Sequence, residues 1–320
     1  MISKVKKNKI DLFQLKNFSD LKNVEKTFDT FITKLLKKKT KYFFPNKKCA
    51  CNNKNYLHKV KIGSFDYLKC SCGTYFINPM INDSTLNLIY SSKGPYSLYR
   101  KKFIENKKKK HLRVNHINKR KVLQLLTFLK MKNRKILDFG CGDGSFLRVC
   151  NKYGFKNLHG IDSKFDRSIK KDGIFFYNSL KELDNNLKFD CITLWGVLEH
   201  LNNPLEFSKK ILKHLKRKGF LLLEVPNSDS LLMKYVILNK EKTYRFLEPG
   251  RHLYFFSKLF FKIFAKKNKM NLLDIETNGL DFQTIIGPTN NKTTKHILKL
   301  QEILDYSKLS DHMRVLMIKR

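Results

Sequence analysis

A chain of 320 residues, 42% of them hydrophobic, has enough apolar material for the core of one domain of ordinary size with a smaller one appended. Its 66 basic residues against 27 acidic ones leave a formal charge of +39, a balance that ordinarily points to nucleic acid or an anionic surface as partner. No apolar run reaches the roughly 18 residues of a membrane span, and the charged N-terminus lacks the apolar stretch of a signal peptide, so a cytoplasmic protein is expected.

The charge excess is mostly lysine, spread along the chain among abundant Asn, Ile and Phe, which reads as drift in composition and not as one binding face interleaved with aromatics. The first 44 residues are amphipathic and lysine-rich and predict a helical segment. Two close cysteine pairs come next, Cys49-Ala50-Cys51 and Cys70-Ser71-Cys72. Four thiolates can close a tetrahedral zinc shell, which makes Cys49, Cys51, Cys70 and Cys72 candidate ligands. C-x-C wraps one metal less comfortably than C-x2-C, and reduced structural thiols are the other reading. With Cys141, Cys150 and Cys191 the cysteines number seven, an odd count that fits reducing surroundings better than a disulfide framework. The dense runs 37–41 and 107–110 read as solvated helix faces or linkers, or else as contacts to an anionic polymer or phospholipid. Val122, Leu125, Leu126 and Leu129 form an apolar stripe that predicts a helix over 119–130 laid against a sheet.

Residues 136–146 read I-L-D-F-G-C-G-D-G-S-F. Gly140, Gly142 and Gly144, with Cys141 inside the loop, fall where a strand turns into a helix, and only residues without a Cβ let the backbone bend that sharply and approach a ligand. A dinucleotide fingerprint, G-x-G-x-x-G, is disfavoured: the third glycine comes one residue early, and Asp138 would repel a pyrophosphate. A Walker loop is excluded because no G-K-[ST] succeeds the glycines. An acid beside a tight loop suits a cationic ligand with an amino group, such as the amino-acid end of S-adenosylmethionine. The stretch resembles the first motif, D-x-G-x-G-x-G, of the class I S-adenosylmethionine-dependent methyltransferases, and Asp138, Gly140, Gly142 and Gly144 match it in full. That resemblance implies an α/β fold with a doubly wound, seven-stranded, mostly parallel sheet.

The remaining stations come in order. Residues 158–162, L-H-G-I-D, predict a second strand ending in Asp162, whose carboxylate can accept both ribose hydroxyls of an adenosine. A third strand is expected at 173–177, before Asn178 and Ser179, where the family places adenine contacts. The apolar run 189–195 predicts a strand buried on both faces, ending at Trp195. Trp195 is read as core filler or as an aromatic face for the sulfonium. Residues 196–204, G-V-L-E-H-L-N-N-P, resemble the segment after the fourth strand in many small-molecule members of the class. Glu199 and His200 there, and His252 in the later R-H-L-Y-F-F-S stretch, are the candidate catalytic groups, and a packed histidine beside a helix-start carboxylate is the plainer reading. Metal-assisted chemistry of the quinone-methylating kind is disfavoured because Gly196 stands where those relatives carry a further glutamate.

A helix over 205–215, stopped by Lys218-Gly219, and a strand over 220–225 are expected next. Ser257 is the expected cap of the helix after it. Strands near 271–277 and 312–319, the last antiparallel, close the sheet, with a helix at 295–306 between them. The segment 72–90 resembles the stretch directly after a zinc ribbon in one branch of these enzymes, including relatives acting on nucleotide-linked sugars. The expected organisation is a helical segment 1–44, a zinc-ribbon-like segment 45–100 and a methyltransferase domain 101–320. The expected activity is methyl transfer to a small molecule, a sugar or sugar nucleotide of surface-polysaccharide biosynthesis. A quinone precursor, RNA or protein is the alternative acceptor, and a zinc-containing binding module is the non-enzyme alternative.

Overall fold

The computed structural model describes residues 11–45, 48–130, 132–165, 172–241, 243, 245–247 and 251–320, with backbone alone at 39, 40, 107, 108 and 115. Helix α1 (Leu12–Leu15) precedes α2 (Phe18–Leu36), which starts where Asn17 accepts from the backbone N–H groups of Ser19 and Asp20. Leu21, Val24, Phe28 and Ile32 are the buried residues of α2, three to four apart as an amphipathic helix requires. Helix α3 (Lys39–Tyr42) runs into β1 (Phe43–Phe44). An antiparallel meander comes next: β2 (Tyr56–Ile62), β3 (Phe65–Cys70) and β4 (Tyr75–Asn78), after which β5 (Met80–Ile81) pairs back onto β1. Helices α4 (Asp83–Tyr90), α5 (Pro95–Tyr99), α6 (Lys107–Leu112) and α7 (Lys119–Phe128), with π-helical turns at Arg100–Ile104 and Arg113–Asn118, carry the chain to the main sheet. The stripe expected on α7 packs as predicted, with Val122, Leu125 and Leu129 buried.

The main sheet is built from β6 (Ile136–Phe139), β7 (Leu158–Ile161), β8 (Phe175–Tyr177), β9 (Phe189–Trp195) and β10 (Leu215–Pro226), interleaved with α8 (Ser145–Lys152), α9 (Pro204–Leu212) and α10 (Leu231–Asn239). A two-residue strand β11 (Tyr254–Phe255) and α11 (Lys258–Lys267) come next, then β12 (Met270–Asn278), α12 (Asp281–Ile286), α13 (Asn291–Tyr306) and β13 (His312–Lys319). The strand order is β12-β13-β10-β9-β6-β7-β8, parallel except for β13, which is the doubly wound seven-stranded sheet that the motifs imply. Side chains alternate across it with period two. Ile136, Cys191 and Leu222 pack with the α7 stripe and Leu147 on one face, while Leu137, Ile192, Leu221 and Leu223 belong to the core on the other.

Four boundaries differ from expectation. Helix α9 ends at Leu212 and β10 already begins at Leu215, because the Leu215 side chain is buried and its backbone pairs with Phe189. Lys218, at φ +58°, sits in an irregularity inside that strand and does not mark its start. Strand β8 begins at Phe175, two residues after Gly173, which turns at φ +75°. Helix α13 starts at Asn291, four residues early, where Asn290 accepts from the Thr293 N–H.

One connection was not foreseen. Strand β11 leaves the main domain and pairs with β4, Tyr254 opposite Phe76 and Phe255 opposite Tyr75, completing a four-stranded sheet ordered β11-β4-β3-β2. The cysteine-bearing meander and the part of the chain that builds the main sheet therefore share backbone hydrogen bonds and one hydrophobic core.

Candidate cofactor and catalytic site

Where β6 ends, the chain turns through Gly140, Gly142 and Gly144 at φ +77°, +56° and +74°, and α8 begins at Ser145. A Cβ on Gly140 would lie 2.5 Å from Val197 Cγ2, and one on Gly144 2.6 Å from Phe176 Cζ. A Cβ on Gly142 would meet nothing within 4 Å, so on that side the backbone is left open to a ligand. A cavity of about 340 Å³ opens there, bordered by Gly140, Gly142, Asp162, Trp195, Gly196 and His200 among others. Asp162 closes the loop from β7: its Oδ2 accepts from Gly142 N at 2.9 Å and its Oδ1 from Lys164 N at 2.9 Å. Each carboxylate oxygen keeps a second lone pair directed elsewhere. Asp143 in the same loop pairs with Lys110 at 2.9 Å, so that member of the 107–110 lysine run is engaged with the loop.

The other residues expected to touch the cofactor are distributed over two layers. Asp138 is 2% exposed and lies below the loop, accepting from Thr193 Oγ1 at 2.7 Å. Burial raises its carboxyl to about 7, against the opposing pull of the Thr193 hydroxyl and Lys121. Cys141 is buried behind the loop, with its Sγ 2.8 Å from where a Cβ on Gly160 would stand, and burial pushes its thiol pKa up. Asn178 and Ser179 are not among the residues bordering the cavity. The Asn178 amide instead reaches the carbonyls of Asp162 and Phe165, at 3.4 Å each. Trp195 does border the cavity, but Lys121 Nζ stands 4.4 Å and the Arg314 guanidinium 5.6 Å from its ring centroid. The protein's own cations thus occupy a π-face that could otherwise have held the sulfonium.

After β9, Gly196 turns at φ +69° into a 3-10 turn, Leu198–His200. His200 borders the cavity, and its Nδ1 lies 2.6 Å from the Arg251 carbonyl. A carbonyl only accepts, so Nδ1 carries the proton and Nε2 faces Glu199 Oε1, 3.7 Å away. Glu199 is 2% exposed, and its carbonyl accepts from Leu253 N at 2.8 Å. The His252 ring lies 5.1 Å from the His200 ring, tilted by 43°, with Nδ1 2.9 Å from the Phe246 carbonyl. It is 7% exposed and is not among the cavity-lining residues; burial first, then Arg251, holds it neutral, well below the usual histidine range. Ligand atoms of Glu199, His200 and His252 lie within 4.8 Å of one another.

Sequence reasoning missed the opposite wall. Asn87, Tyr90, Tyr96 and Arg100, from α4, α5 and the turn after them, border the same cavity. The Arg251 guanidinium, buried, sits 4.8 Å from the Tyr96 ring and 4.7 Å from Tyr99. The closely spaced tyrosines 90, 96 and 99 were a visible signal, but nothing local in them tells which strand end they will cover.

The four cysteines of the meander converge. Cys49 and Cys72 Sγ are 3.7 Å apart and Cys51 and Cys70 Sγ 3.6 Å, with all four sulfurs within 4.8 Å. A tetrahedral ion about 2.3 Å from each sulfur sets neighbouring sulfurs roughly 3.8 Å apart, so the quartet has the size such an ion requires. All seven cysteines are free thiols. The knuckles are short because Asn52 and Gly73 turn at φ +74° and +83°. Ser257, besides capping α11 by accepting from Phe260 N, donates to the Cys72 carbonyl, and Lys267 Nζ donates to the Cys51 carbonyl at 2.6 Å.

Against known proteins, a family model described as a methyltransferase domain matches residues 111–277, more than half of the chain. No curated protein matches it. Among solved structures, the plantazolicin methyltransferase BpumL, bound to a monoazolic desmethylPZN analog and SAH, is 17% identical with TM-score 0.47, covering 73% of this chain and 93% of that one. A SAM-dependent methyltransferase from Archaeoglobus fulgidus is 18% identical with TM-score 0.46, covering 70% and 99%. Another, from Mesorhizobium loti, is 13% identical with TM-score 0.45, covering 64% and 100%. The family match spans the glycine turn at the carboxyl edge of β6, the carboxylate of Asp162 that locks it and the Glu199-His200 turn, and the chain belongs to the class I S-adenosylmethionine-dependent methyltransferases.

Proposed function

We propose that this methyltransferase acts on a sugar or sugar nucleotide used in surface-polysaccharide biosynthesis, with His200 as the base and a zinc ion held by Cys49, Cys51, Cys70 and Cys72. The observation that carries the reading is His200: it borders the cavity of the glycine loop, its Nδ1 proton is fixed on the Arg251 carbonyl, and Glu199 stands at its Nε2. S-adenosylmethionine, when bound, supplies a methyl carbon already activated by the sulfonium. The protein's contribution is orientation, exclusion of water and removal of one proton from the acceptor hydroxyl or enolisable carbon. His200 Nε2 takes that proton, and the buried Glu199 carboxylate stabilises the imidazolium that forms. His252, behind His200, keeps its ring in place. Asp162 would accept the ribose hydroxyls, Gly140 and Gly142 would border the cofactor, and Asn178, bonded to the Asp162 and Phe165 carbonyls and followed by Ser179, would act by holding the loop after β7. Asp138 supplies a buried negative charge beneath the cationic end.

The sugar acceptor rests on the likeness of 72–90 to the segment after a zinc ribbon in sugar-modifying relatives, and the sulfur quartet supports that likeness. We divide the chain into a helical segment 1–44, a metal-binding segment 45–100 and a catalytic segment 101–320. We place the protein in the cytoplasm, as the odd number of cysteines suggests; among the described residues no helix is long and apolar enough to cross a membrane. A transfer assay with labelled methyl donor against nucleotide sugars, quinone precursors and total RNA tests the acceptor. Label moving only into RNA or a quinone precursor would overturn the sugar reading.

A further inference from the structure

A second cavity, of about 170 Å³, opens along the same carboxyl edge of the sheet. Glu224, on its wall, is the register partner of Trp195, which borders the first cavity, so the two lie one strand spacing apart. Three guanidinium groups face into it, Arg120, Arg245 and Arg314, with His116 and His312. Among the described residues two carboxylates, Glu224 and Asp311, line the cavity with them. Glu224 is held by Arg314 at 2.6 Å and by Lys121 at 3.7 Å, and Asp311 is paired with Arg245 and with His312 Nδ1 at 2.7 Å. Arg120 makes no hydrogen bond or salt bridge among the described residues; Glu224, Asp305 and Glu276 act on it from farther away. Burial, and then the neighbouring Arg314, disfavour its charge, a cost that a bound anion would offset.

We propose that this cavity is the acceptor's anchor and takes a phosphoryl group, with Arg120 as the residue that binds it. The planar guanidinium matches phosphate oxygens two at a time, and His116 on the same wall offers a ring nitrogen beside it, whereas His312 directs its Nδ1 proton to Asp311. The inference rests on the methyltransferase reading and sharpens it: the methyl acceptor carries a phosphate, as a sugar nucleotide or sugar phosphate does, placed one strand over from the cofactor.

Trp195, the chain's single tryptophan, reports on the site because Arg314 lies 5.6 Å from its ring. Inorganic phosphate titrated at fixed ionic strength should give a saturable fluorescence change. Arg120→Ala should weaken it at least tenfold and Arg120→Lys less, with S-adenosylmethionine binding by calorimetry equal in all three. The comparison with Arg120→Ala is needed because a chain of charge +39 attracts anions everywhere. An unchanged phosphate response in Arg120→Ala, no response at all in the unsubstituted protein, or acetate binding as tightly as phosphate overturns the proposal. Failure of the sugar reading looks different: phosphate binding that depends on Arg120, with no sugar nucleotide methylated, keeps the anchor and removes that acceptor. Methylation of a sugar nucleotide with kcat/KM unchanged by Arg120→Ala keeps the acceptor and removes the anchor.

Discussion

Replacing Asp138 by asparagine should stabilise the protein above neutral pH and not below about pH 4. In the folded chain burial lifts this carboxyl from 3.8 to about 7, so between those values the folded state holds a proton that the unfolded chain has lost. Stability must then fall as pH rises through that window, the reverse of a salt-bridged aspartate. At about 1.36 kcal/mol per pH unit, the cost levels off near 4 kcal/mol above pH 7. Asparagine is nearly isosteric, can still accept from the Thr193 hydroxyl, and does not ionise. In urea unfolding at a series of pH values, the Asp138→Asn protein should gain about 2 to 3 kcal/mol on the parent between pH 5 and pH 8. The same group should link cofactor binding to pH, because a cation above Asp138 favours its ionised form. Affinity for S-adenosylmethionine should climb up to tenfold per pH unit between about 5.5 and 7 in the parent and stay flat in Asp138→Asn. Parallel stability curves for the two proteins over pH 5 to 8 would refute the assignment of a raised carboxyl at this position.

The same geometry leads to other outcomes. Asp162→Ala removes the acceptor of two loop N–H groups as well as the proposed ribose contact, and calorimetry should show S-adenosylmethionine binding weakened roughly ten- to hundredfold. Gly140→Ala places a Cβ 2.5 Å from Val197 Cγ2 at a φ of +77°, so binding should be lost, and a Gly140→Ala/Val197→Ala double variant should recover part of it. His200→Ala should lower kcat by about 10² to 10⁴ with cofactor affinity kept, and His252→Ala should lower it less; the opposite ranking would make His252 the base. Metal analysis should find one zinc per chain, lost in Cys70→Ser together with thermal stability.

The cysteine module bears on catalysis through backbone. Strand β11 joins β4, Leu253 donates to the Glu199 carbonyl and the Leu253 carbonyl accepts from Ile77 N at 3.1 Å, so the His200 turn, the 251–256 segment and the meander form one hydrogen-bonded unit. Disordering the sulfur quartet should therefore loosen the His200 turn.

By itself the sequence determined what is local. The alternation of glycines after a strand, the acid ending the next strand, the continuous apolar run 189–195 and the cap at Ser257 each come from steric or hydrogen-bonding rules acting within a few residues, and they were enough to place the glycine turn and the strands beside it, while the seven-stranded order was implied by the likeness of the motif to the methyltransferases. Tertiary structure decided what depends on burial and on strands far apart in the chain. It put Asp138 beneath the loop instead of in the cavity, laid Lys121 and Arg314 on Trp195, and separated His200 at the cavity from His252 behind it. It also brought two C-x-C pairs, about 20 residues apart, into one quartet and placed Arg120 opposite β10 and β13. Such contacts are made by packing, whose energy depends on which surfaces meet, and no spacing within a single segment encodes that.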